Sequence, residues 1–235
     1  MSLDLLPLID LTSLNENDDA AVIAALCQKA YSAKGHVAAV CIYPQFVAQA
    51  KKLLDKTPVK IATVANFPYS TEPLEQVIST IKTAISHGAN EIDVVFPYVD
   101  YLQGKKESSY DFIRACKAAC GEDVLLKVIL ETGVLQEIAV IEEVSFHLAH
   151  AGADFLKTST GKTPIGATLE AASAMLRIIK KIPRPIGLKV SGGVRTVEQA
   201  NQYIQLAAEI MGKAWLQPEH FRIGASQLVG VILGV

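Results

Sequence analysis

The sequence has no uninterrupted apolar run of the roughly 18 residues that a membrane-spanning helix needs, and its first residues lack the basic segment that opens a secretory signal. Asp4 and Asp10 interrupt that region further, so a cytoplasmic protein without membrane association is expected. Cysteine is scarce. Cys27, Cys41, Cys116 and Cys120 have neither zinc-site spacing nor the density of a disulfide scaffold, which predicts reduced thiols. An excess of charge of one sign is also missing: 22 Lys and Arg against 24 Asp and Glu leave a net charge of −2, and nothing points to nucleic acid as a partner. No Gly-x-Gly-x-x-Gly follows the first strand-like segment, which disfavours a dinucleotide-binding fold.

What is present is a large apolar core in a chain of 235 residues, half of them hydrophobic. Apolar runs of strand length occur at Leu8 to Thr12, Val37 to Tyr43, Lys60 to Asn66, Glu91 to Phe96, Val124 to Glu131, Phe155 to Thr160, Ile186 to Ser191 and Phe221 to Ala225. Several are nearly continuous Val, Ile, Leu and Ala, the pattern of parallel strands buried on both faces. Between them lie segments with apolar residues three and four apart: Asp18 to Lys34, Pro44 to Leu54, Glu72 to His87, Tyr110 to Cys120, Glu137 to Ala151, Leu169 to Lys181 and Val197 to Met211. Thr196 with Gln199 fits a capping box, and Thr168 fits an N-cap. Eight strands alternating with helices at about 30 residues per unit predict one (β/α)8 barrel over residues 1–235.

In such a barrel the reactive groups gather at the C-terminal ends of the strands, and those ends are polar here. Asp10 and Thr12 lie in the first strand, Asn66 ends the third, Asp93 lies in the fourth, Lys127 and Glu131 in the fifth, Lys157 in the sixth and Lys189 in the seventh. A cation inside a strand covered on both faces is costly unless it is paired or shifted in pKa. Two of them, Lys157 and Lys189, in adjacent strands point to amine chemistry, whereas Lys127 fits an interior ion-pair network equally well. Gly161-Lys162, Gly192-Gly193 and Gly224-Ala225-Ser226 would let backbone N–H groups approach an anion, with a short helix from about Ser226 to Leu233 behind them, as in barrels that hold phosphate after strands seven and eight. His147 and His150 are three apart on a helix without a third ligand, so no metal site is expected. Cys41 reads as a small buried hydrophobe.

The same residues carry a resemblance. Leu8-Ile9-Asp10-Leu11-Thr12, Val40-Cys41-Ile42-Tyr43-Pro44, Glu91-Ile92-Asp93-Val94-Val95-Phe96-Pro97, Lys157-Thr158-Ser159-Thr160-Gly161-Lys162 and Gly192-Gly193-Val194-Arg195-Thr196 resemble the deoxyribose-phosphate aldolases, class I lyases on a (β/α)8 barrel, and the similarity extends through nearly the whole chain. The resemblance implies that Lys157 forms a Schiff base, that Lys189 is the second cation beside it, and that Asp93 serves proton transfer. It implies that Asp10, Thr12 and Lys162 lie near the sugar hydroxyls or phosphate, and that Thr160, Gly161, Gly192, Gly193, Gly224 and Ser226 belong to the substrate site. The implied substrates are a phosphosugar and aldehydes, with no metal and no cofactor, and a homodimer is a possible assembly. Two departures stand out: Gln227 occupies the place of a second serine, and the chain ends at Val235 in an apolar stretch where many members carry a tail with a terminal tyrosine.

The chemistry explains why two lysines are wanted. An amine attacks an aldehyde only when neutral, and at an ordinary lysine pKa of about 10.4 only about one in 2,500 is neutral at pH 7. Closing that gap takes about 4.6 kcal/mol. A second ammonium about 5 Å away supplies roughly 3 kcal/mol at an effective dielectric of 20, and burial supplies more. Two other readings of the same residues are a phosphosugar isomerase, with Lys157 as a point charge and Asp93 as the base, and a phosphate-binding barrel without chemistry.

Overall fold

In the computed structural model, which describes residues 4–234, the eight expected strands close into a parallel barrel. They are β1 (Ile9–Thr12), β2 (Ala39–Ile42), β3 (Lys60–Ala65), β4 (Glu91–Val95), β5 (Leu125–Ile129), β6 (Phe155–Lys157), β7 (Gly187–Ser191) and β8 (Phe221–Ala225). Each pairs in parallel with its neighbours in sequence, and β1 pairs with both β2 and β8 to close the ring. The helices are α1 (Ala20–Ala30), α2 (Val47–Leu54), α3 (Leu74–Ser86), α4 (Tyr98–Leu102), α5 (Lys106–Cys120), α6 (Thr132–Leu135), α7 (Ile138–His150), α8 (Leu169–Lys181), α9 (Val197–Met211) and α10 (Leu228–Leu233). None of these is long and apolar enough to cross a membrane. The terminal Val235 lies outside the described residues.

The helix starts follow local chemistry. Thr168 caps α8 by accepting from Ala171 N, and Thr196 forms the expected capping box with Gln199 on α9. The first helix ends four residues earlier than its periodicity suggests. After Ala30 the chain turns into a two-stranded hairpin, Tyr31–Ser32 with Gly35–His36, where the Ser32 hydroxyl bonds both Gly35 O and Lys34 N at 3.2 Å; such side-chain bonding competes with the helix. Conversely, α5 begins four residues before Tyr110, because its first turn, Lys106 to Ser109, is polar and carries no apolar periodicity. The short helices α4 and α6 follow β4 and β5 and have no counterpart in the sequence reading.

Several strands end earlier than their apolar runs, and at three of these ends the departing side chains hold neighbouring loops. Asn66 leaves β3 with φ 54° and donates to Val95 O while accepting from Glu72 N, both at 2.9 Å. Glu131 leaves β5 with φ 59°. Thr158 leaves β6 but exchanges 3.0 Å hydrogen bonds with Ser191 through its hydroxyl. The outer faces of the strands pack on the helices in one continuous core, while Cys41, Ala39, Ala62, Val64 and Leu14 form a small cluster of their own.

Gly187 marks a tight point in this packing, since a Cβ there would lie 2.2 Å from the buried Phe155 ring. Gly187→Ala is therefore expected to destabilise the barrel by about 1–3 kcal/mol, read as a lower urea midpoint with an unchanged slope; a parent-like midpoint would mean that Phe155 has room to move.

Candidate active site

Alternation along parallel strands sends every second side chain inward, and seven of the inward residues are charged: Asp10 on β1, Glu91 and Asp93 on β4, Lys127 on β5, Lys157 on β6, Lys189 on β7 and Arg222 on β8. The strand register sets Asp93 beside Lys127, Lys157 beside Lys189, and Lys189 beside Arg222. Asp93 is the hub. Its Oδ2 accepts from Lys157 Nζ at 2.8 Å and Lys189 Nζ at 2.7 Å, and its Oδ1 accepts from Lys127 Nζ at 2.8 Å. Lys189 also pairs with Asp10 at 2.6 Å, and Lys127 with Glu91 at 2.6 Å. Arg222 closes the ring by reaching Asp10 at 2.7 Å and Glu91 at 3.1 Å, with its guanidinium 5.6 Å from the centre of the Phe155 ring.

The three lysines are chemically unequal. Burial and the Lys189 ammonium lower the pKa of Lys157, and its single carboxylate neighbour, Asp93, does not reverse the shift. Burial also opposes the charge of Lys189, but Asp10 and Asp93 outweigh it and hold its pKa well above the ordinary value. Lys127 is raised in the same way by Asp93 and Glu91 against burial. Asp93 is buried, which alone would favour protonation, yet Lys127, Lys157 and Lys189 together keep it ionised well below the usual carboxylate range. Lys157 is therefore the amine among the three that most readily gives up its proton, and it is the one that opens onto a cavity. Cys41 lies beside the hub, with Sγ 3.9 Å from Asp93 Oδ2; burial pushes its thiol up.

That cavity, about 440 Å³, sits at the C-terminal end of the barrel and is lined by Thr12, Lys157, Thr160, Gly161, Lys162, Gly192, Gly193, Gly224 and Ser226, with Gln227 beside them. Its back wall is an interlock of the loops after β6 and β7. Ser191 Oγ donates to Ser159 O at 2.6 Å, and Ala167 N donates to Gly192 O at 2.9 Å. Gly192 has φ +88°, and a Cβ on Gly166 would meet Gly192 O at 2.1 Å, so both positions require glycine. A larger hollow of about 530 Å³ lies on the outer flank, lined by Ser70, Glu72, Asp100 and Asp111 among others. Its lining contains no amine, whereas Lys157 lines the smaller cavity.

Thr12, Thr160, Gly161, Lys162, Gly192, Gly193, Gly224 and Ser226 thus meet around one space with Lys157 at its floor. Asp10 does not reach it, being fully buried beneath the cavity between Lys189 and Arg222. Arg222 and Glu91 are absent from the site residues expected from sequence, and the structure adds both to the charged interior. An Arg inside the apolar Phe221 to Ala225 run is the signal that would have found the first. Glu131, also fully buried, accepts from Thr160 N at 3.3 Å and Thr163 Oγ1 at 3.2 Å and bonds the Thr160 hydroxyl. Thr160 Oγ1 in turn accepts from Lys162 N at 3.1 Å, which ties the carboxylate to the loop carrying Lys162. His147 stacks on Tyr110 at 4.6 Å on the outer layer, remote from this cavity.

Comparison with known proteins gives the family and the fold. The family described as DeoC/LacD family aldolase matches residues 5–234. A Coccidioides immitis protein provisionally identified as a deoxyribose-phosphate aldolase is 30% identical, with a TM-score of 0.86 over 97% of this chain and 85% of the other. A protein described as QR15, an aldolase, is 26% identical with a TM-score of 0.85 over 99% and 97% of the two chains. The deoxyribose phosphate aldolase of Aeropyrum pernix, at 24% identity, shares the fold with a TM-score of 0.78 over 97% and 90%. With a buried lysine of lowered pKa opening onto a glycine-rimmed cavity and a family match across nearly all its length, this chain belongs to the DeoC/LacD family of aldolases.

Proposed function

We infer that the protein cleaves 2-deoxy-D-ribose 5-phosphate reversibly to acetaldehyde and D-glyceraldehyde 3-phosphate through a Schiff base on Lys157. The observation that carries this reading is the inequality of the lysines: Lys157 alone has its charged form disfavoured and faces the cavity. Neutral Lys157 attacks C1 of the open-chain sugar, and loss of water gives the iminium. That cation is the electron sink, so the chemistry needs no metal. Asp93, acting through a water and coupled to Lys189, takes the proton from the C3 hydroxyl. The C2–C3 bond then breaks, and its electron pair flows into the imine to leave an enamine. Protonation at C2 and hydrolysis release acetaldehyde and return the amine.

Asp93 alone is a weak base, because the Lys127 and Lys189 ammonium groups stabilise its charge even when Lys157 is neutral. Its bonds to Lys157 and Lys189 through one oxygen support a relay, in which a proton gained at the substrate side is matched by one passed along the pair. Asp10 serves this chemistry from below by holding Lys189. At the rim, the backbone N–H groups near Gly161, Gly192 and Gly193, the Ser226 hydroxyl and Lys162 form the phosphate end, with Thr12 and Thr160 toward the sugar hydroxyls.

Three measurements test this. Borohydride added with acetaldehyde should leave one two-carbon adduct on the peptide containing Lys157, and Lys157→Ala should abolish both adduct and turnover; an isomerase or a mere phosphate binder would leave no adduct. Lys189→Met removes a like charge, so the Lys157 pKa should rise and the acid limb of the rate profile should move about one to two pH units upward. Gly192→Ala introduces a strained Cβ at the phosphate rim and should raise KM for the phosphosugar about ten- to a hundredfold, with little change for unphosphorylated deoxyribose.

A further inference from the structure

The sealed half of the ion network lies below the reacting groups and has no place in the steps above. Arg222 and Glu91 do not line the cavity. Both are buried, and their partners are each other, Asp10 and Lys127. The network nevertheless has a definite stoichiometry: four cations, Lys127, Lys157, Lys189 and Arg222, share three carboxylates, Asp10, Glu91 and Asp93. Glu131, the remaining buried carboxylate, forms no ion pair with any of them and is occupied by Thr160 and Thr163.

A water-poor interior penalises an unbalanced charge far more than an exposed surface does. One cation in this set therefore tends to lose its proton, and the geometry decides which. Arg222 stays protonated at all relevant pH. Lys127 has close contacts to Glu91 and Asp93, and Lys189 to Asp10 and Asp93. Lys157 has one carboxylate, which it shares with both other lysines. The groups around it are Asp93 on β4, Lys127 on β5, Lys189 on β7 and Cys41 on β2, with Asp10, Arg222 and Glu91 one contact further away; Lys162 and Arg195 face it across the cavity but are exposed, as is the charge on β3, Lys60.

The geometry points to Arg222 and Glu91 as positioning residues that set the protonation of Lys157 from beneath, by fixing the interior at one cation more than its carboxylates can neutralise. With Lys157 neutral the count is three against three. Arg222→Met would make it three carboxylates against three cations with Lys157 charged, so Lys157 would keep its proton. Glu91→Gln would leave two carboxylates for four cations and drive the proton off Lys157 more strongly. The double variant restores an excess of one cation.

This inference rests on Lys157 being the Schiff-base lysine, and the experiment separates the two. The rate of reductive trapping of acetaldehyde on Lys157 is measured against pH for the parent and three variants. Its apparent pKa should rise by on the order of one unit in Arg222→Met, fall by a similar amount in Glu91→Gln, and return close to the parent in the double variant. A purely structural role predicts loss of folded protein or of amplitude without opposite displacements of the pKa. If Arg222→Met does not fold, the downward displacement in Glu91→Gln decides alone, since that isosteric change keeps the side-chain volume. Unmoved pKa values, or displacements of the same sign, would overturn the inference while Lys157 remained the labelled residue. A parent protein that takes no label on Lys157 would overturn the functional reading itself.

Discussion

Four buried cations sharing three buried carboxylates is the constraint on which the rest of this molecule depends. Each charge arrives on a different strand, except for Glu91 and Asp93, which occupy the same face of β4 two residues apart. The ring has to be closed for the ion pairs to form, because Asp10 on β1 reaches Arg222 on β8 and Lys189 on β7 across the last seam. Such a network is weak evidence for stability, since desolvation offsets most of its Coulomb energy. Its value here is chemical. It lowers the pKa of one of three similar lysines, Lys157, and raises those of the other two.

The site divides between rigid and adaptable backbone. Lys157 and its carboxylate partner Asp93 stand on strands, where ladder hydrogen bonds hold neighbouring residues in register. The cavity rim is built from loops whose glycines allow backbones to approach closely, as at Gly166 on Gly192. Buried polar side chains at the strand ends connect the two parts. Thr158 joins the loops after β6 and β7, and Glu131 holds Thr160 and Thr163. Each of these carries its own hydrogen-bond partners into the interior, which is what makes its burial tolerable.

Much of this was legible in the residues. Strand positions followed from continuous apolar runs, helix positions from three-and-four spacing, and the caps at Thr168 and Thr196 from local hydrogen-bond chemistry. The hairpin from Tyr31 to His36 was not, because a two-residue strand has too few positions to show a period. The helices α4 and α6 are four or five residues long, below the length at which periodicity can be read. The resemblance implied that Asp10 lies near the substrate, but its side chain is committed to Lys189 and Arg222 beneath the floor. Arg222 escaped notice because the carboxylates it pairs with, Asp10 and Glu91, lie 212 and 131 residues away in sequence.

By itself, the sequence determined the eight-fold repeat, the strands that carry amines, and the glycine pairs that end them, since all of these are local patterns of polarity and backbone freedom. It could not decide among the lysines. Lys127, Lys157 and Lys189 each sit in an apolar strand and carry the same functional group, and only closure of the barrel assigns each its carboxylate neighbours. Two carboxylates face Lys127 closely, two face Lys189, and one divided carboxylate faces Lys157. Proton affinity in a buried site is a sum over neighbours in space, and those neighbours come from β1, β4, β5, β7 and β8 at once.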